Sequence, residues 1–346
     1  MTRRLLYPLN PLYAAAIAAK YAAYDHGWLK TRRLQWPVIS VGNISVGGSG
    51  KTPFVICLTK LLMQHGLRVD ILSRGYGRNS DRVERVYPGV DPGVDPGGDV
   101  ERFGDEPLLI AQSTGAPVYV GASRYVAGLL AEKNETGPRI HLLDDGFQHR
   151  KLVRDLDVVL VHRSDFSETL LPAGNLREPL SSLKRASAVV LREEDAELEQ
   201  QLRQRGIDAP VWLIRRTVNV PSDAGKTIAF CGIARPEDFF SSVRASNAEV
   251  AAGCAFLDHH RYSDEDLRQL IQRARSVKAD SFVTTEKDVV RLSRSQKEQL
   301  GAIAPLKLVK LEVRLLDESS VLQLISNLKA QDTLNRPNKA INGNEK

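Results

Sequence analysis

The chain has 346 residues, of which 42% are apolar and 26% charged, a globular composition that excludes a disordered polypeptide and leaves room for two α/β lobes with sizeable cores. Cys57, Cys231 and Cys254 form no C-x-x-C pair and each sits in an apolar run, which excludes a disulfide frame and a zinc site and fits a reducing compartment. The net charge of +6 implies an acidic partner without choosing among nucleic acid, anionic lipid and phosphorylated substrate, but no nucleic-acid module or arginine-rich aromatic stripe is visible.

Met1 to Ala23 reads MTRRLLYPLNPLYAAAIAAKYAA. Arg3 and Arg4 ahead of an apolar segment imitate a signal peptide, but Pro8 and Pro11 would break its helical core, so the segment is read as retained inside the cell. A spanning helix needs about 20 mostly apolar residues, and the unbroken run Leu12 to Ala19 is far shorter. Tyr7, Tyr13, Tyr21, Tyr24 and Trp28 interleave with Arg3, Arg4, Lys20, Lys30, Arg32 and Arg33, a mixture suited to lipid headgroups. From these residues alone, segment 1–30 is either an interfacial helix or an ordinary capping helix.

Val38 to Val41 is a short β-branched strand, and Phe54, Leu58, Leu61 and Leu62 recur at helical spacing until Gly66. Between them lies SVGGSGKT, residues 45–52, in the strand, tight loop and helix setting that a phosphate-binding loop requires. Ser45, Val46, Gly47, Gly48, Ser49 and Gly50 form the cradle, its glycines letting N–H groups turn toward an anion at the positive end of a helix. Lys51 would reach the β- and γ-phosphates of a nucleotide and the Thr52 hydroxyl would ligate Mg²⁺. Ser45 stands where the G-x-x-x-x-G-K-[ST] pattern begins with glycine; that position mainly lets the chain leave the strand, so a small serine can replace it. Pro53 suits the first helical turn.

Val69–Leu72, Val118–Val120, Ile140–Leu143, Val158–Val161 and Ala188–Leu191 predict further strands, with helical stretches over Pro107–Gln112 and Arg124–Lys133. The alternation predicts a largely parallel sheet covered by helices on both faces. The strand over 140–143 ends in Asp144 and Asp145. One aspartate there would read as a turn cap, whereas a pair beside a phosphate loop is the usual carboxylate half of an Mg²⁺ site. Gly104-Asp105-Glu106-Pro107 sets adjacent acids before a helix, as a cap or as chemistry. SRGYGR (73–78) and LPAGNLREP (171–179) are solvated loops or polar contacts. The repeat PGVDPGVDPGG (88–98) reads as a surface loop without chemistry.

From about residue 216 the alternation resumes, with strands over Thr227–Phe230, Val250–Phe256, Ser281–Thr284 and Leu306–Val313 and helices over Pro236–Val243 and Ser320–Leu328. Ser263 caps a helix whose Leu267, Leu270, Ile271, Ala274 and Val277 share one face. The pattern divides the chain into 31–215, a smaller α/β lobe over 216–330, and a polar, disordered tail over 331–346. In Asp258-His259-His260-Arg261-Tyr262 a histidine could be a base, a ligand or a polar cap. TTEKD (284–288) approaches a guanine-specificity motif, but Asp288 follows Lys287 directly instead of two places on, which sets GTP aside.

SVGGSGKTP, SRGYGR, GDEP, LLDDGFQHR, LPAGNLREP, CGIARPEDF, DHHRY and TTEKD, in that order to about residue 330, resemble the tetraacyldisaccharide 4'-kinase family of Gram-negative lipid A biosynthesis. Ser45 is what that family shows. The resemblance implies a P-loop kinase-like α/β fold of two lobes joined by a short β linker. It implies transfer of the ATP γ-phosphate, with Mg²⁺, to the 4'-hydroxyl of a tetraacyldisaccharide 1-phosphate, giving lipid IVA. It also implies an N-terminal helix at the cytoplasmic face of the inner membrane, with no nucleic acid and no obligate protein partner. By resemblance Asp105 is the general base, His259 (before His260) its partner, and Lys51 the phosphate-neutralising cation. Thr52, Glu106, Asp144, Asp145 and Gln148 make the Mg²⁺ environment, and Arg74, Tyr76, Arg124, His149, Asn175, Arg177 and Glu178 are substrate contacts. A P-loop ATPase that drives conformational change would explain the loop and Asp144-Asp145 but neither GDEP nor the aromatic, basic N-terminus.

Overall fold

The computed structural model describes residues 2–48, 50–87, 96–246 and 248–335. In chain order, α1 (Asn10–Asp25) leads to β1 (Val38–Asn43), α2 (Lys51–Gln64), β2 (Val69–Ser73), β3 (Glu84–Arg85), α3 (Pro96–Phe103), α4 (Asp105–Thr114), β4 (Val118–Val120), α5 (Arg124–Asn134), β5 (Ile140–Asp144), β6 (Leu156–Leu160), β7 (Ala188–Arg192), α6 (Leu198–Gln204) and β8 (Val211–Asn219). The C-terminal half contains β9 (Lys226–Cys231), α7 (Pro236–Arg244), β10 (Glu249–Ala255), α8 (Asp264–Val277), β11 (Ser281–Thr285), α9 (Glu286–Val289), α10 (Arg294–Gly301), β12 (Leu306–Leu315) and α11 (Glu318–Asn335). The strands form one mixed, mostly parallel sheet in the order β10-β9-β11-β12-β8-β7-β6-β1-β5-β2-β4-β3. The fold class is α/β.

Residues of β1, β2, β5 and β6 are buried at every position, as expected of parallel strands covered on both faces. Period-two alternation sorts them. Ile39, Val41, Ile71 and Leu142 pack with Phe54 and Leu58 of α2 and Ile110 of α4, while Val38, Leu72 and Leu143 pack with Ala127 and Ala131 of α5. The strand order turns beside β1, with β5 on one side and β6 on the other. Such a switch point opens a crevice at the carboxyl ends of the strands.

β12 ties the two ends of the sheet together. Its start, Leu306–Val309, runs parallel to β11, and its end, Lys310–Leu315, runs antiparallel to β8. The sequence reading did not anticipate β8, whose second half is largely exposed and carries Arg215 and Arg216 among apolar residues. The short β3 and the helices α3, α6, α9 and α10 were also not anticipated. Ser263 does cap α8, its Oγ accepting from the Asp266 N–H and the Asp266 carboxylate accepting from the Ser263 N–H. Cys57, Cys231 and Cys254 are free. Residues 96–98 of the Pro/Gly/Asp repeat, expected in a loop, begin α3, and 331–335 of the expected disordered tail continue α11; residues 88–95 and 336–346 lie outside the described residues. No helix among the described residues is long and apolar enough to cross a membrane.

Candidate active site

β1 ends mid-sheet at Asn43 and the chain turns into α2, whose capping residue Gly50 has φ 84°, a left-handed conformation that favours glycine. The loop is braced from behind: the Val46 N–H donates to the Asn175 carbonyl at 2.8 Å and the Arg177 N–H to the Ile44 carbonyl at 2.7 Å. Ser45 is buried and bridges to Leu176, with its side chain near the Asp165 carboxylate. A glycine would lose that polar contact, which gives the serine a physical reason. Lys51 Nζ donates to Asn43 Oδ1 at 3.2 Å and lies 3.3 Å from Asp145 Oδ1. The first N–H groups of α2 have no partner within the helix and favour an anion. Ser49 lies outside the described residues.

Parallel pairing of Val41 with Asp144 sets the end of β5 beside this loop. Asp144 is buried and accepts from Ser73 Oγ at 3.0 Å. Burial, then the charges of Glu106 and Asp145, push its carboxyl up to about 7. Asp145, with φ 50°, accepts from Arg177 Nη1 on both oxygens at 3.2 and 3.0 Å. Burial opposes its ionisation, but Lys51 and then Arg177 hold its carboxyl below the ordinary range. Glu106, in the first turn of α4, is treated the same way by Lys287, whose Nζ lies 2.6 Å from Glu106 Oε1. Among the described residues no group of three or more acidic, histidine or cysteine side chains makes a ready cage for a metal. Mg²⁺, however, commonly takes one or two carboxylates together with phosphate oxygens. Crowded acids beside the Thr52 hydroxyl fit that requirement.

The turn after β2 packs on the entry to α4: a Cβ on Gly75 (φ 66°) would lie 2.6 Å from the Phe103 carbonyl, so only glycine fits. This delivers Tyr76 next to His259, ring centroids 5.6 Å apart. From the C-terminal half, His259 Nδ1 donates to the buried Asp105 Oδ2 at 2.9 Å, and Arg291 Nε donates to the same oxygen at 2.9 Å. Burial would raise the Asp105 pKa, but the His259 hydrogen bond and the Arg291 and Lys287 charges hold it well below the usual carboxylate range. In return, the Asp105 hydrogen bond raises the His259 pKa. His260 turns elsewhere, donating to Asp266 at 3.0 Å and stacking on Phe256. Gly48, Lys51, Thr52, Glu106, Asp144 and His259 all line one cleft of about 1420 Å³.

The profile of the Tetraacyldisaccharide-1-P 4'-kinase family matches residues 2–329. The chain belongs to this kinase family. It is 43% identical over 329 residues to a tetraacyldisaccharide 4'-kinase of Koribacter versatilis, covering 92% of this chain and 97% of the relative. It is 38% identical over 301 residues to that of Geobacter metallireducens, covering 83% and 88%. A crystal structure from Aquifex aeolicus, described as an "apo" form of LpxK in complex with ATP, superposes with a TM-score of 0.75 at 34% identity, covering 95% of this chain and 99% of that one. The chain is an ATP-dependent kinase.

In this tetraacyldisaccharide 4'-kinase family member, the other expected residues divide by what they touch. Arg74, Tyr76 and Arg177 line the cleft. Arg124 is buried, donates to the Ala122 carbonyl at 3.1 Å and is pushed down to about 10, chiefly by burial. Burial, then Arg124, pushes His149 down to about 4, leaving it neutral near pH 7. Asn175 braces the loop through its backbone carbonyl. Gln148 Nε2 donates to the Asn43 carbonyl at 2.8 Å and to Glu178 Oε1 at 2.9 Å, which ties it to the end of β1. Glu178 corrects the expectation of a substrate contact. It is fully buried and accepts from Gln148 Nε2 at 2.9 Å and from Arg185 Nη2 at 2.7 Å, with Tyr21 of α1 nearby, so it supports the loop from within. Sequence reasoning missed Lys287 and Arg291, whose partners lie 181 and 186 residues away; no local pattern signals either pairing.

Proposed function

We propose that this chain transfers the γ-phosphate of ATP to the 4'-hydroxyl of tetraacyldisaccharide 1-phosphate, forming lipid IVA in lipid A biosynthesis. The observation that carries the reading is His259, which lines one cleft with Lys51, Thr52 and Glu106 and donates through Nδ1 to the buried Asp105, in a chain of this kinase family. Residues 31–215 and 216–330 act as two lobes that meet on that cleft.

The N–H groups of Gly47, Gly48 and Gly50, in the loop 45–50, and the Lys51 ammonium bind the β- and γ-phosphates. Thr52, Asp144 and Asp145 would hold Mg²⁺, with Glu106 and Gln148 behind them; the ion supplies charge neutralisation on the phosphates. Asp105 accepts the proton of the acceptor hydroxyl as its oxygen bonds to the γ-phosphorus and the bond to ADP breaks. His259, donating through Nδ1 to Asp105, orients the carboxylate and tunes its pKa, and a pair so closely linked titrates as a unit. General-base help of this kind is worth about 10²–10⁴ in rate, so phosphate positioning by the loop supplies much of the rest. Arg74, Tyr76 and Arg177 line the cleft where an acceptor would lie, with Arg124 and His149 further candidates.

The N-terminal segment is the membrane contact in this reading. Leu5, Leu12 and Trp28 are 82%, 70% and 77% exposed, and α1 buries none of its residues. An exposed apolar and aromatic face with basic neighbours suits the interface of the inner membrane's cytoplasmic leaflet. α1 also touches the loop brace: Tyr13 OH donates to the Arg177 carbonyl at 3.2 Å, and Asn10 Oδ1 accepts from the Ala173 N–H at 3.2 Å. Incubation with γ-labelled ATP in detergent, with and without the acceptor, tests the proposal. Label in the lipid supports it. Label released only as inorganic phosphate makes the chain an ATPase.

A further inference from the structure

Arg291 follows the short helix α9, and its side chain is 2% exposed. Its guanidinium points two ways. Nε and Nη2 donate to Asp105 Oδ2, while Nη1 donates to the Gly232 carbonyl at 2.6 Å and to Asp288 Oδ1 at 3.1 Å. Asp288 is fully buried. Its Oδ1 also accepts from the Gly232 N–H and the Tyr262 hydroxyl, each at 2.8 Å, and its Oδ2 accepts from Thr285 Oγ1 at 2.6 Å. The segments CGIARP, DHHRY and TTEKD therefore converge on one carboxylate.

Arg291 is the arm from this node to α4, across 186 residues of sequence. A guanidinium that merely neutralised a buried acid could approach either carboxylate oxygen. Here it shares Oδ2 with His259 Nδ1, while Oδ1 accepts the Glu106 N–H at 3.0 Å. Tyr262, three positions beyond His259, hangs from the same Asp288. The imidazole and the guanidinium on Asp105 are thus both referenced to one buried node. A lysine would carry the charge but not the planar fork that reaches both sides at once.

We infer that Arg291 is a positioning residue for phosphoryl transfer: it clamps Asp105 against His259, fixes both relative to Asp288, and acts on the reacting hydroxyl only through Asp105. The inference rests on the proposed role of the Asp105–His259 pair. It goes beyond that reading by adding a member the pair depends on.

The test compares kcat and both KM values for the full chain and for Arg291→Ala, Arg291→Lys, Asp105→Ala and the double variant Asp105→Ala/Arg291→Ala. A misplacement of about 1 Å can cost about 10²-fold, so Arg291→Ala is expected to lower kcat about that much. KM for ATP and for the acceptor should stay within about threefold, because no ground-state binding contact is removed. Arg291→Lys should recover about tenfold of the loss by keeping the charge near Asp105. In the Asp105→Ala background, removing Arg291 should cost nothing further, the mark of residues acting as one unit. Independent, additive losses overturn the inference, as does a kcat that Arg291→Ala leaves unchanged. If Arg291→Ala does not fold, Arg291→Lys with Asp105→Asn completes the same cycle, and a rise in both KM values in step with falling kcat overturns the inference there. An Asp105→Ala variant of near wild-type kcat would instead remove the proposed role of the pair itself.

Discussion

His259 Nδ1 lies 2.9 Å from Asp105 Oδ2, joining side chains 154 positions apart in sequence. Around this contact the two halves of the molecule meet through charge: Lys287 on Glu106, Arg291 on Asp105, and Arg261 on Glu101. Ala234 also comes within 3.4 Å of where a Cβ on Gly48 would sit. The proposed proton acceptor and the phosphate loop are therefore completed by the same approach of the C-terminal half.

Asp105→Ala should lower kcat by about 10²–10⁴, the usual contribution of a general base, with little change in KM for ATP. Steady-state kinetics with both substrates checks this. A parallel loss in ATP affinity would recast Asp105 as a metal or structural residue.

Lys51→Ala should abolish transfer, because Lys51 is the cation set at the start of α2 beside Asp145 and would reach the phosphates. Activity near that of the wild type would remove the phosphate-binding role of the loop.

Glu178→Ala strands Arg185, Gln148 and Tyr21 around a buried hole. Breaking a buried charge pair from one side costs on the order of 3 kcal/mol, so denaturant unfolding should shift by about that much. KM for ATP should rise as well, since Gln148 and the end of β1 lose their support. Unchanged stability with only the acceptor KM raised would return Glu178 to the acceptor site.

Serine at Leu5, Leu6 and Leu12 together should release the protein from anionic vesicles in a sedimentation assay while leaving its melting temperature unchanged, because all are exposed. Sedimentation equal to that of the wild type would move the membrane contact elsewhere.

At the opposite end of β5, fully buried His141 donates to Asp70 Oδ1 at 2.6 Å and to Glu132 Oε1 at 3.4 Å. Glu132 also accepts the Trp36 N–H at 2.9 Å, which pins the segment entering β1. Burial works to lower the His141 pKa, but Asp70 and then Glu132 raise it to about 9. A raised folded-state value stabilises fully below the unfolded pKa of about 6.5 and is lost as pH climbs through about 9. Urea unfolding between pH 6.5 and 9.5 should show a loss on the order of 1–3 kcal/mol that His141→Gln abolishes. A flat profile in the wild type would mean that the imidazole is neutral throughout.

The parts of the site that are contiguous in sequence were legible. The phosphate loop, the Asp144-Asp145 pair and the Ser263 cap each depend on neighbours within a few positions, and the structure has each in the expected local setting. Ser45 was read as tolerable; its place beside Asp165, 120 positions on, needed the fold. β8 escaped because its exposed second half carries arginines, which blurs the alternation of a strand. Glu178 sits in a Gly/Pro-rich polar loop that reads as exposed, and only the docking of Tyr21 and Arg185 buries it. Lys287 lies within TTEKD and Arg291 just beyond it, but neither segment signals a partner on α4; their meaning comes from tertiary pairing.

The most direct test is a structure of the complex with Mg²⁺, a non-hydrolysable ATP analogue and the tetraacyldisaccharide acceptor. The account predicts the terminal phosphoryl against Lys51, with the 4'-hydroxyl between it and the Asp105–His259 pair. A terminal phosphoryl turned away from Asp105, or an acceptor whose 4'-hydroxyl lies outside the cleft, would contradict it.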